Sequence, residues 1–96
     1  MNLDDITTRI IAICEDHFRD YNKKVDPETT SADIPAWNSL NHVMLIARIE
    51  KEFDIKFDIL QMIEMKRVAD IAEATGKLIL KQVLKGSGED PGTSSG

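Results

Sequence analysis

Apolar residues recur with a helical period along most of the chain. From Leu3 to about Tyr21, the residues Ile6, Ile10, Ile13, Cys14 and Phe18 fall at three- and four-residue spacing, which predicts a helix with one buried face. Asp4 and Asp5 suit its positive N-terminal end. A second helix is predicted from Ser39 to Phe53, where Leu45, Ile49 and Phe53 form an i, i+4, i+8 stripe joined by Ile46. Arg48, Glu50, Lys51 and Glu52 are turned outward on it. Asp58 suits the cap of a short helix through about Glu64, and KRVADIAEAT begins a last helix along Val68, Ile71, Ala72 and Thr75. Strand signals are almost absent.

The segment between the first two helices, NKKVDPETTSADIPAWN, holds two prolines and several Asp, Ser and Thr residues and reads as a long loop. Long loops in compact domains usually have a function. Gly76 would ordinarily suggest a helix stop, yet KLILKQVLK resumes an amphipathic pattern, so the last helix is expected to continue to about Lys85. Leu78, Ile79 and Val83 would then lengthen the core contact or create a partner or self-association face. The stretch GSGEDPGTSSG has no apolar residue to bury and is expected to be disordered. The resulting division is a folded domain over 1–85 and a tail over 86–96. The fold class is all-α: three longer helices and one short helix around one core, with the loop from about Asn22 to Asn38 crossing between antiparallel neighbours.

A length of 96 residues suffices for one small core and excludes multi-domain catalysis. Cys14, the single cysteine, permits neither an intramolecular disulfide nor a zinc site of clustered cysteines, which fits a reducing cytosol. It lies in the first apolar stripe and reads as core rather than as a thiol catalyst. The N-terminus lacks the basic start and unbroken apolar run of a signal peptide, and no span is long enough for a membrane helix. A cytoplasmic protein without membrane insertion is expected. The formal net charge of −5 and pI near 4.9 argue against nucleic acid and for basic protein partners. His17 has acidic neighbours, but Asp16 and His17 point in different directions on a helix, so no metal site is expected.

Ser39 is the residue that invites a functional reading. Asn38 or Ser39 can serve as the N-cap of the second helix. No G-x-S-x-G elbow surrounds the serine, and His42 lies too locally on the same helix to be presumed its general base. A hydroxyl at a helix N-terminus does suit a covalently attached phosphate, because free N–H groups and the helix dipole favour the anion.

A long first helix, a long loop, Ser39-Leu40 opening the second helix, then IEKEFDIKF, a short helix and RVADIAEA together resemble the acyl carrier protein family. The resemblance covers about Leu3 to Thr75. It implies a non-enzymatic carrier with 4′-phosphopantetheine, donated by coenzyme A, attached covalently to Ser39, and acyl groups held on it as thioesters. Implied partners are a phosphopantetheinyl transferase and acyl-loading, acyl-transfer or condensing enzymes, meeting a monomer. The family's D-S-L motif corresponds to Asn38, Ser39 and Leu40, so Asn38 removes a negative charge that helps the transferase recognise its substrate.

Family members meet their enzymes through an apolar patch rimmed by acids. Here Val43, Met44 and Ala47 lie on that side of the second helix, with Met44 either exposed there or packed under the loop, and Glu50 and Asp54 remain among its acids. Trp37 stands beside the attachment motif, where it would pin the loop to the second helix, shield the root of the arm or simply join the core. Ile46, Met62, Ile63 and Met65 are the residues expected to line the cavity in which the family shelters acyl chains, or to form ordinary core. Met44 in place of an acid suggests a specialised lipid, polyketide or glycan-acylation pathway. A peptidyl or aryl carrier is a rival, disfavoured by the absence of a Gly-Gly-containing approach to the serine. A helical interaction module with Ser39 as a mere cap is another. An enzyme is the weakest rival, for want of converging acid, base and nucleophile.

Overall fold

The computed structural model describes residues 2–88. They form four helices, α1 (Leu3–His17), α2 (Ser39–Phe53), α3 (Ile59–Glu64) and α4 (Val68–Gly88). The only β pairing among the described residues is an isolated bridge between Thr30 and Arg67. The all-α expectation therefore holds.

α1 starts where the Asn2 side chain accepts the Asp5 N–H at 2.8 Å, and it buries Ile6, Ile10 and Cys14. It ends at His17, earlier than the Tyr21 limit expected from periodicity. Phe18 leaves helical geometry and stacks on Trp37 of the loop with ring centroids 5.4 Å apart. Burying two aromatic faces together outweighs continuing the helix. α1 then packs against both α2 and α4.

α2 has the predicted bounds and buries Leu45, Ile46 and Ile49 completely. It stops at Asp54, which adopts the left-handed conformation (φ 55°, ψ 54°) that a short polar side chain tolerates better than most. Ile55 and Phe57 then turn back into the core. α3 opens with a reciprocal capping box, Asp58 Oδ1 accepting the Gln61 N–H and Gln61 Oε1 accepting the Asp58 N–H. None of its residues is fully buried.

The loop is a built part of the core rather than a passive crossing. Val25, Ile34 and Trp37 join the hydrophobic cluster, and backbone carbonyls of the loop meet the start of α4. The Val68 N–H donates to Thr29 O at 3.0 Å and the Ala69 N–H to Pro27 O at 2.8 Å, so donors that have no partner inside α4 are satisfied by the loop. Asp70 accepts the Lys66 and Arg67 N–H groups at 3.1 and 3.0 Å. The Arg67 guanidinium bridges Asp70 to Glu28 of the loop.

α4 passes straight through Gly76 as expected and runs to Gly88, three residues beyond the expected domain limit at 85. Residues 89–96, the remainder of the expected tail, lie outside the described residues. Leu78 and Ile79 pack on the core, while Leu80 and Val83 are exposed. Gln82 Nε2 donates to Asp54 O at 3.0 Å and ties the extension to the end of α2.

Two stability predictions follow from the α4 contacts. A Cβ placed on Gly76 would meet Ile6 Cδ1 and Leu3 Cδ1 at 3.7 Å, an ordinary van der Waals contact. Gly76→Ala should therefore raise unfolding stability by about 1 kcal/mol, read from the urea midpoint at unchanged m value. Burial works against the Asp70 carboxylate, but the N–H groups of Arg67 and Lys66 and the Arg67 guanidinium outweigh it and hold its pKa below the usual carboxylate range. Its stabilisation is present above the unfolded-state value of about 3.9 and lost as pH falls through the lower folded value. Asp70→Asn should melt below the parent at neutral pH, and that gap should close on acidification below about pH 4 in paired thermal melts.

Candidate functional site

Ser39 is the first residue of α2, and the residue before it does the capping. Asn38 Oδ1 accepts the Asn41 N–H at 2.9 Å. Asn41 Nδ2 reaches back to Ala36 O at 2.7 Å, and the Asn38 N–H donates to the same carbonyl at 2.9 Å. These bonds fix the entrance to the helix without the serine. The Ser39 side chain is exposed, and its hydroxyl makes no hydrogen bond to the protein among the described residues. The capping alternative thus belongs to Asn38, leaving the Ser39 hydroxyl available for chemistry at a helix N-terminus.

A groove of about 610 Å³ opens beside this hydroxyl, bounded by the end of the loop, the first turn of α2, and α3. Ser39, Trp37, His42 and Val43 line one side, and Met62, Ile63 and Met65 the other. Three of the four residues expected around an acyl cavity are therefore brought together here. Ile46 is the exception. It is fully buried between the helices and does not line the groove, because the i, i+3, i+4 stripe with Leu45 and Ile49 turns it into the core.

The expected recognition residues divide in the same way. Leu40, Val43 and Met44 are 69%, 51% and 48% exposed, and Ala47 and Asp54 are exposed as well, so this face of α2 is accessible and largely apolar. Met44 is therefore a surface residue rather than packing under the loop. Trp37 is not on that surface: it is 4% exposed, stacked on Phe18, with its indole N–H donated to His42 Nδ1 at 2.9 Å. Glu50 is half-buried, and its carboxylate accepts the Phe57 N–H at 2.8 Å, which commits it to holding the turn after α2.

The charges of α2 are also partly engaged by α1. Arg9 pairs with Glu52 and lies over the Phe53 ring, 5.2 Å from its centroid. Arg48 pairs with Asp16 at 2.8 Å, and the adjacent guanidinium holds the Asp16 carboxyl below its ordinary range. Cys14 is fully buried between these helices, and burial pushes its thiol up to about 12, so it is neither thiolate nor nucleophile at neutral pH. Among the described residues, no group of three or more His, Cys, Asp or Glu side chains is placed to hold a metal ion.

Two features of the site escaped the sequence reading. His42 donates or accepts at both ring nitrogens, bonding Trp37 and the Met62 carbonyl, the latter at 2.8 Å. Its spacing of three residues from Ser39 placed it near the site, but nothing local indicated its partners. On α3, Ile59, Leu60 and Ile63 are 74%, 70% and 63% exposed. Six residues are too few for periodicity to tell an outward apolar face from an inward one.

The division of labour between Asn38 and Ser39 has a direct thermodynamic signature. Asn38→Ala should destabilise the fold by about 1 kcal/mol in urea titration. Ser39→Ala should stay within about 0.5 kcal/mol of the parent, as befits an exposed side chain with no intramolecular bond.

The sequence matches no protein-family model, and no curated protein matches it either. Its structure, by contrast, is similar to the solution NMR structure of the holo acyl carrier protein from Geobacter metallireducens. The TM-score is 0.72, the identity 29%, and the match covers 81% of this chain and 90% of that one. Proteins of that kind are carriers rather than enzymes. The order of four helices agrees with that likeness, and the fold is acyl-carrier-like.

Proposed function

We propose that a phosphopantetheinyl transferase attaches a 4′-phosphopantetheine arm to Ser39, and that the protein then carries acyl intermediates on that arm and presents them to acyl-loading, acyl-transfer or condensing enzymes. The observation that carries this reading is the free hydroxyl at the first position of α2, with the capping bond made by Asn38 instead. The residues present suit such a group. Helix N-terminal N–H groups favour a phosphodiester on the Ser39 oxygen, and the apolar groove begins beside that oxygen. When bound, the arm supplies a terminal thiol on which an acyl group is held as a thioester.

The protein's own contribution is placement and recognition. Leu40, Val43, Met44 and Ala47 offer an exposed apolar face next to the attachment point, and Asp54 supplies charge at its far end. Ile59, Leu60 and Ile63 extend the apolar surface across α3. Contacts of this size and composition suit short-lived encounters with several enzymes. Asn38 and Met44, where the family has acids, support a specialised lipid, polyketide or glycan-acylation pathway with its own transferase. The folded carrier domain is taken as residues 1–85, acting as a cytoplasmic monomer. No helix among the described residues is long and apolar enough to cross a membrane.

Intact-protein mass spectrometry tests the reading. Incubation with coenzyme A and a broad-specificity phosphopantetheinyl transferase should add one phosphopantetheinyl group to the parent and none to Ser39→Ala. A gain that persists in Ser39→Ala would move the attachment elsewhere. No gain with any of a panel of transferases would favour a helical docking module instead.

A further inference from the structure

His42 joins three segments that meet at the groove. Trp37 ends the loop, His42 lies in the first turns of α2, and Met62 belongs to the last turn of α3. An indole N–H can only donate, so the Trp37 bond requires a bare Nδ1 on His42. The ring proton is thereby placed on Nε2, which donates to Met62 O at 2.8 Å. That carbonyl lies within the last four residues of α3 and has no acceptor role inside the helix.

Besides this bond, the C-terminal end of α3 is held by Met65, the cap residue, which is buried in the core. No residue of it is fully buried, Met62 is its half-buried contact with the core, and its capping box secures only the opposite end. We propose that His42 is a positioning residue: held in the Nε2–H tautomer by Trp37, it latches α3 to α2 and fixes the wall of the groove beside Ser39. The relevance to cargo rests on the carrier reading above; the latch itself does not.

Amide exchange and imidazole nitrogen NMR, both on protein carrying no arm, test the two halves. His42→Leu keeps bulk and loses both bonds; its amides at 62–64 should exchange about tenfold faster while α1, α2 and α4 keep their protection. Unchanged exchange in α3, or equal acceleration everywhere, would overturn the latch. In the parent, the hydrogen-bearing ring nitrogen of His42 should be Nε2 and the bare one Nδ1. His42→Gln, which can still accept from Trp37 and donate to Met62, should keep α3 protected. A hydrogen on Nδ1 of the parent would overturn the tautomer assignment. Failure of Ser39 to accept phosphopantetheine would sink the carrier reading alone and leave both of these results standing.

Discussion

An α-helix leaves its first N–H groups and last carbonyls without partners, and in this protein other segments of the chain supply them. The loop carbonyls of Pro27 and Thr29 accept from the start of α4, Asn38 caps α2, Asp58 caps α3, and His42 reaches the end of α3. Each bond is modest by itself, but a buried group left unpaired costs more than the bond contributes, so the arrangement is strongly selected against alternatives. The path of the loop is consequently set at both its ends. It must reach α4 at residues 27–29 and deliver Asn38 to α2, and Ser39 emerges from that delivery in one place.

The same economy shapes the surface. Exposed ion pairs contribute little stability, and the pairs Arg48–Asp16 and Arg9–Glu52 matter more for what they remove than for what they add. They engage charges on the α1 side of α2, and Glu50 is consumed by the turn at Phe57. The exposed face of α2 keeps Leu40, Val43 and Met44, with no acidic residue in the first turn of the helix. A partner meeting that face would do so by apolar complementarity more than by long-range attraction, with correspondingly less salt sensitivity than on a uniformly acidic helix.

Most of the architecture could be read from the sequence because long amphipathic helices announce themselves. The stripe Leu45, Ile49, Phe53 gave α2 its bounds, Asp58 marked α3, and the resumption of pattern after Gly76 carried α4 onward. What the pattern could not provide was any contact between residues distant in sequence. The end of α1 was placed too late because Phe18 fits the helical stripe equally well, and only Trp37 explains its departure. The sequence leaves open whether Trp37 joins the core or the recognition surface, and makes Glu50 look like a surface acid, because the partners of both are not readable from local sequence. Ile46 was assigned to the cavity because helical spacing alone does not distinguish a residue facing the groove from one facing the core. The start of α2 at Ser39, by contrast, was legible, because a helix start is a local property.

α3 is the loosest element of the fold and stands across the groove from Ser39. A helix of six residues is too short to be stable by itself, and three of its large apolar side chains face outward rather than into the core. Its two ends are held from outside its own hydrogen-bond ladder, by the capping box at one end and by His42 and the buried cap residue Met65 at the other. An element held at its ends, with few core contacts between them, can be displaced at a smaller free-energy cost than any other helix here. The wall of the groove is thus the part of the fold best suited to yield, while α2, buried along its whole inner face, keeps Ser39 where the loop has put it.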